Sequence, residues 1–371
     1  MKYLSLVLLT CCTVGLYAQN SITIPDQQTA YGTLKFNNHA YDLEDHWVVF
    51  PKNPKTGKYS FGFIYLDTQA GFTFNLEGSF GVDALGHAFR DSTDYLKNAM
   101  YKVRLGPNTS PVAAIPDNML ADLKVKSVPD WLALYKQGNP DKNSVAMKVL
   151  EGKHLNSAGA PQKALEYLED AYKTEPHAAG LEFELTYSYN ELGQFEKAIT
   201  ILNAAIANAP DNPMFYKELG FAYMQSKDMD SAIKTFNSGI VVAKQHRMTE
   251  RDEMGLNLSF AYSQLQQYDK AINAVNEAIA DAPGEVRLYI QLATIYLVAN
   301  DADNAIKAYT KAIDVAPANQ MEQKAQMAWS IALIYRDQKK DKELYAAWGQ
   351  KAKDWVPANS KGAQFLKTVV F

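Results

Sequence analysis

The hydrophobic and polar positions of the chain change period once. From Ser21 to about Gly86, "HWVVF" (46–50), "YSFGFIYLD" (59–67) and "GFTFNLEG" (71–78) set aromatic and branched residues in partial alternation, the pattern of strands. Between the first two lies "PKNPKTGK", whose prolines and glycine break a ladder and predict a turn. These pieces predict a small antiparallel sheet. A helix is expected near Ser92–Val103, then loops such as "GPNTSP". "VPDWLALYK" (128–136) opens the helical part, with Pro129 suited to a first turn. From about Asn143 onward the apolar spacing is that of helices.

The helical part also copies itself. "ELGQFEKAITILNAAIANAP" (191–210) returns as "QLQQYDKAINAVNEAIADAP" (264–283). Aligned on Ala164, Ala198, Ala232, Ala271 and Ala305, the spacings are 34, 34, 39 and 34 residues. A proline follows twelve residues after four of these anchors, at Pro176, Pro210, Pro283 and Pro317. Seven residues after the anchors stand Ala171, Ala205, Gly239, Ala278 and Ala312, and nine before them Leu155, Tyr189, Tyr223, Tyr262 and Tyr296. Small residues belong where two helices cross, large ones between helices, and proline where a helix must stop. Each copy alone leaves an apolar face open, so the copies must stack.

This pattern resembles the tetratricopeptide repeat, a 34-residue helix–turn–helix unit. The resemblance covers roughly residues 143–317, with a weaker sixth unit to about Val356 aligned on Leu344. It implies a mostly α fold: a helix–turn–helix solenoid of five clear units and a degenerate sixth, preceded by a small β-rich domain. The expected divisions are 1–18, a signal peptide; 19–125, the β-rich domain with its linking helix; 126–356, the array; and 357–371, a tail. Five extra residues around "VVAKQHRMTERDEMG" replace the expected proline by Lys244 and predict a lengthened helix pair with a polar elbow.

In this family the first helix of each unit lines a concave face. Carried over by register, the resemblance implies a partner-binding groove of Phe183, Tyr187, Asn190, Lys217, Phe221, Met224, Gln225, Phe260, Gln264 and Trp329. Tyr187, Phe221 and Phe260 share one position and would form an aromatic ladder, with amides and Lys217 beside it. Two other readings stand against this. The rings are ordinary packing between helices, or they are covered by the chain's own sheet or tail. Some family members grip a terminal carboxylate through Lys, Arg and Asn. Asn156 and Asn190 are the right type here, but the basic residues around them are not so arranged.

Composition narrows the function. Hydrophobic residues are 47% and charged residues 21%, the balance of a folded protein. A net charge of −4 has the wrong sign for a nucleic-acid binder. "MKYLSLVLLTCCTVGLYAQ" reads as a secretory signal cleaved after Ala18, and it is short for a membrane span. Cys11 and Cys12 both lie inside it; acylation of one of them is the lesser reading, since Thr10 suits a lipid anchor poorly. Cleavage after Ala18 would leave the exported chain without a thiol, and so without disulfides.

The six histidines are scattered, without the spacing of a helical zinc site. "TGKYS" lacks the upstream glycines of a phosphate loop, and there is no "GxSxG". His46 and His87 lie in or beside the strand-rich part, where Asp45, Asp67, His87 and Asp91 are the candidates for a hidden site. No catalytic residue, metal or cofactor is expected. The expectation is a non-catalytic exported scaffold, periplasmic or secreted, that binds a protein or peptide partner and no nucleic acid. The alternative is an N-terminal module that binds or hydrolyses a glycan or envelope component, mounted on the array. A further reading makes the chain self-associate through "GAQFLKTVVF".

Overall fold

The computed structural model describes residues 24–91, 101–107, 109, 111–139, 141–246 and 251–370. They form two compact bodies that divide between Leu192 and Gly193. The expected signal peptide, both cysteines and most of the helix expected near Ser92–Val103 lie outside the described residues.

The first body opens with a hairpin of Gln27–Thr29 (β1) and Gly32–Leu34 (β2). Its sheet holds His46–Val49 (β3), Tyr59–Asp67 (β4), Gly71–Val82 (β5), Ala88–Arg90 (β6), Tyr101–Arg104 (β7) and Ala113–Ala114 (β8). All pairings are antiparallel, in the order β6-β5-β4-β3-β8, with β7 also on β5. The expected helix is therefore corrected at its C-terminal end, because Tyr101–Arg104 is a strand. "YKVR" alternates with period two, which suits a ladder and not a helix.

Both faces of β4 are covered, which is why its sequence reads as a nearly continuous apolar run. Tyr59, Phe61, Phe63 and Tyr65 share one core with Trp47, Val49, Phe80, Met119 and Leu123. The helix Asp130–Lys136 (α1) adds Trp131 and Tyr135, whose rings meet Tyr65 edge-on at 5.1 and 4.9 Å. On the opposite face Val48, Ile64, Leu66, Phe72 and Phe74 are buried. The ladder slips between Phe61 and Gly62, leaving Glu77 as the extra residue of a bulge, with its carboxylate 2.8 Å from Arg90. Gly62 is required there, since a Cβ would lie 2.2 Å from the Asn75 carbonyl oxygen.

The same body contains Val145–Ser157 (α2), Pro161–Thr174 (α3) and Leu181–Glu191 (α4). Gly152 lets α2 approach α3, because a Cβ there would meet the Leu168 side chain at 2.4 Å. No earlier repeat precedes α2, and the β-rich part packs on it instead. The His154 ring lies under Gly71, Lys163 donates to the Tyr41 carbonyl and Asp42, and the buried Glu151 shares a hydrogen bond with Glu44. Thirteen residues before the anchors, where α2 carries Glu151, the later units have Leu185, Leu219, Leu258 and Leu292.

The second body is helical: Phe195–Asn208 (α5), Pro213–Gln225 (α6), Met229–His246 (α7), Arg251–Gln264 (α8), Tyr268–Asp281 (α9), Val286–Val298 (α10), Ala302–Val315 (α11), Met321–Ile334 (α12), Lys342–Trp355 (α13) and Lys361–Lys367 (α14). Every anchor alanine in it, from Ala198 to Ala305, is fully buried three residues into the second helix of its unit. A Cβ on Gly220 would strike the Phe236 ring at 2.4 Å. One on Gly239 would meet Met254 at 2.6 Å and Tyr216 at 2.7 Å, so Gly239 sits where its own first helix and the next one converge. The Ala-Pro ending has a partner in the next helix: Tyr216 donates to the Pro210 carbonyl and Tyr289 to that of Pro283, at 2.9 and 3.0 Å. Of the expected lengthened pair, α7 is long, at 18 residues, α8 has an ordinary 14, and residues 247–250 of the expected elbow lie outside the described residues.

The sixth unit departs from the register read in the sequence. Leu344 is 39% exposed, and Tyr345 stands three residues into α13, with the fully buried Ala352 seven on and Pro357 twelve on. The first helix keeps the Leu344 register, with Ala332 fully buried. The discrepancy is one residue, taken up by a π-turn at Tyr335–Lys339. The closing bond from Asp341 N–H reaches back six residues to Tyr335, where that from Asp301 reaches five to Tyr296. α14 begins where the first helix of a seventh unit would and buries Ala363 and Leu366.

Candidate functional site

In the second body α6, α8 and α10 lie beside one another as the first helices of successive units. Phe221 and Phe260 hold equivalent places on α6 and α8, with Thr294 next on α10. Both rings are half-buried: they pack against the cluster of Met224, Phe236, Met254 and Leu258 and keep an open side. Gln225 and Gln264 end their helices next to these rings, half-buried and exposed respectively. Met224 is buried in that cluster and does not line a surface.

Lys217 is not a free handle. Its Nζ lies 3.3 Å from Glu253 on α8 and 3.7 Å from Glu218, and its side chain is 15% exposed. It ties two neighbouring first helices and cancels its own charge. Nearby Arg287 is held by Glu285 at 3.0 Å and Arg251 by Asp281 at 3.1 Å. This face is therefore apolar and amide-bearing, with its charges paired internally. The composition of single helices hides that pairing, but register reveals it: Glu253 stands eighteen residues before Ala271, and Lys217 fifteen before Ala232. Trp329 on α12 is half-buried, with the rings of Tyr345 and Phe365 at 6.3 and 5.9 Å, so α14 leans on it.

In the first body Phe183 and Tyr187 are half-buried on α4, and Asn190 is buried. Asn156 is structural. It donates to the carbonyl and carboxylate of Glu184, at 2.9 and 3.0 Å, and accepts from Ser188 at 2.7 Å, joining α2 to α4. Tyr189 donates to Glu169 at 2.7 Å, which bonds α4 to α3. An open cleft of about 510 Å³ lies along Tyr41, Asp42 and residues 159–163, but its lysine, Lys163, is committed to Asp42.

The candidate residues of the β-rich part are each held by a different partner. Asp45 pairs with Lys136, Asp91 with Lys58, His46 with the Glu44 carbonyl, and His87 faces Tyr31. Asp67 accepts from the amides of Gln69 and Ala70, closing the β4–β5 turn. Burial works against its charge, yet the Tyr135 hydroxyl, these amides and Lys102 hold it below the usual carboxylate range. Among the described residues no three His, Cys, Asp or Glu side chains converge as a metal site needs, and no helix is long and apolar enough to cross a membrane.

Two family models described as tetratricopeptide repeat match the chain, one at residues 155–217 and 191–247, the other at 258–320. The paired helices matched at 155–247 and 258–320 are tetratricopeptide repeats, so the chain carries a tetratricopeptide-repeat array. No curated protein matches it.

Solved structures similar to it include the pilF protein of Pseudomonas aeruginosa, at 15% identity and a TM-score of 0.46, covering 60% of this chain and 96% of that one. A thermophilic TPR protein of Thermus thermophilus is 21% identical with a TM-score of 0.42, covering 51% of this chain and all of the other. YrrB, described as a TPR protein with an unusual peptide-binding site, is 16% identical with a TM-score of 0.41, covering 56% of this chain and all of its own.

Proposed function

We propose that the protein is a non-catalytic interaction scaffold that takes an apolar or amphipathic segment of a partner protein on the first-helix face of its repeats. The observation that carries this is the equivalent, half-buried placing of Phe221 and Phe260 beside Gln225 and Gln264. Rings with one packed side and one open side are rigid anchors that cost little ordering on binding. The internally paired charges favour a partner held by apolar contact and amide hydrogen bonds over one held by a terminal carboxylate.

The test is the double variant Phe221→Ala, Phe260→Ala, used beside the wild type as bait against proteins from the native source. Loss of the same bound protein, with an unfolding midpoint within a few degrees of wild type, is expected. A fall in stability of about 3–5 kcal/mol per ring would instead place both rings in the core and overturn the reading.

The leader "MKYLSLVLLTCCTVGLYA" supports work outside the cytoplasm, in the periplasm or beyond. The mature chain then begins at Gln19, and mass spectrometry of the protein from its native source checks this. A native chain that retains Met1 or Lys2 removes the exported location.

A further inference from the structure

We propose that the open edge of β7 receives an extended segment of a partner protein in which apolar and acidic residues alternate. This site is separate from the repeat face and does not depend on it.

Among the described residues β7 is paired on one side only, with Thr73–Leu76 of β5 against Arg104–Tyr101. Among the described residues no strand lies on its other side, and all four of its residues are exposed, Tyr101 at 58% and Val103 at 41%. The outward N–H and C=O groups of such a strand are half of an unmade ladder. Its side chains divide by face. Tyr101 and Val103 stand opposite Leu76 and Phe74 and prolong the apolar face of Ile64. Lys102 and Arg104 stand opposite Asn75 and Thr73 on the face of Tyr65, and neither has an ion pair among the described residues.

The charge pattern selects the occupant. A second copy of β7, added antiparallel, would set Lys102 and Arg104 against the same cations, and like charges across a ladder repel. A strand with carboxylates at those places and branched or aromatic residues between them satisfies both faces at once. Lysines that protect an edge stand out from it. Lys102 instead rests over the rings of Tyr65 and Tyr135, at 5.6 and 4.8 Å, which leaves the edge clear until a carboxylate on the added strand draws its ammonium out.

The test uses the full chain and two labelled peptides, one alternating valine with glutamate and one alternating valine with lysine, followed by fluorescence anisotropy. The glutamate peptide is expected to bind the wild type at least about tenfold more tightly than the lysine peptide. The variant Lys102→Glu, Arg104→Glu is expected to reverse that order, and a scrambled glutamate peptide to bind neither chain. Hydrogen exchange at residues 101–104 should slow when the glutamate peptide is added. Equal binding of the two peptides, absence of binding at millimolar concentration, or an unchanged order in the folded double variant would each overturn the proposal. So would a dimer whose 101–104 amides are protected before any peptide is added.

Discussion

Single residues show where this chain resolves a conflict with its own pattern. Glu151 stands where later units place leucine, and it is buried. Burial, then the charge and hydrogen bond of Glu44, push it up to about 8, while Lys142 and Lys163 pull the other way. An unfolded glutamate titrates near 4.3, so between about pH 4.5 and 8 the folded state holds a proton that the unfolded state has released. Stability from this site is therefore full below that window and falls as pH rises through it. At about 1.4 kcal/mol for each tenfold change in proton affinity, the total is several kcal/mol. Glu151→Gln keeps a neutral group beside Glu44. Its unfolding midpoint should exceed that of wild type at pH 8 and approach it near pH 4.5. Parallel pH profiles for the two chains would sink this account.

At the scale of elements, the turn between the two helices of each unit needs one residue in the left-handed region. Gly159 and Gly193 meet that need without strain, but Lys227, Gln266, Asn300 and Lys340 fill it in other units, with φ between 56 and 69°. Left-handed backbone costs a residue with a Cβ about 1–2 kcal/mol, and the added chain entropy of glycine returns part of that. Gln266 is exposed, so Gln266→Gly should stabilise by about 0.5–1 kcal/mol, measured as a raised urea midpoint at unchanged slope. A lowered midpoint would mean that the Gln266 side chain does more than tolerate the turn. The same scale shows what the sequence could reveal. Ala198, Ala232, Ala271 and Ala305 were legible because crossing helices demand small residues at fixed spacing. The shift from Leu344 to Tyr345 was not, because a π-turn inserts a residue without breaking the helix or leaving a glycine or proline to mark it. β7 was not legible as a strand, because its period-two alternation runs for four residues and no further.

Across the whole molecule, periodicity told more about the repeats than about the sheet. Each repeat meets mainly its neighbours, so a local pattern repeated several times fixes both the elements and their packing. The sheet depends on pairings between distant segments, such as Trp47 against Phe63 and Ala113 against Val49, which no local spacing announces. The candidate site divides the same way. Register placed Phe221 and Phe260 on equivalent sites of adjacent helices and Lys217 beside Glu253, but it could not say that Phe365 leans on Trp329.

The seating of the sheet against α2 also bears on how such a gene can lengthen. Tandem duplication adds a copy where neighbouring copies fit one another, and the first helix pair does not fit a preceding copy. Its glutamate and histidine are matched to the loop at Glu44 and the turn at Gly71. A duplicate of that pair placed downstream would carry an acidic side chain into a leucine's seat. Growth of the array by whole units is thus disfavoured ahead of this pair, and descendants with more repeats should share it.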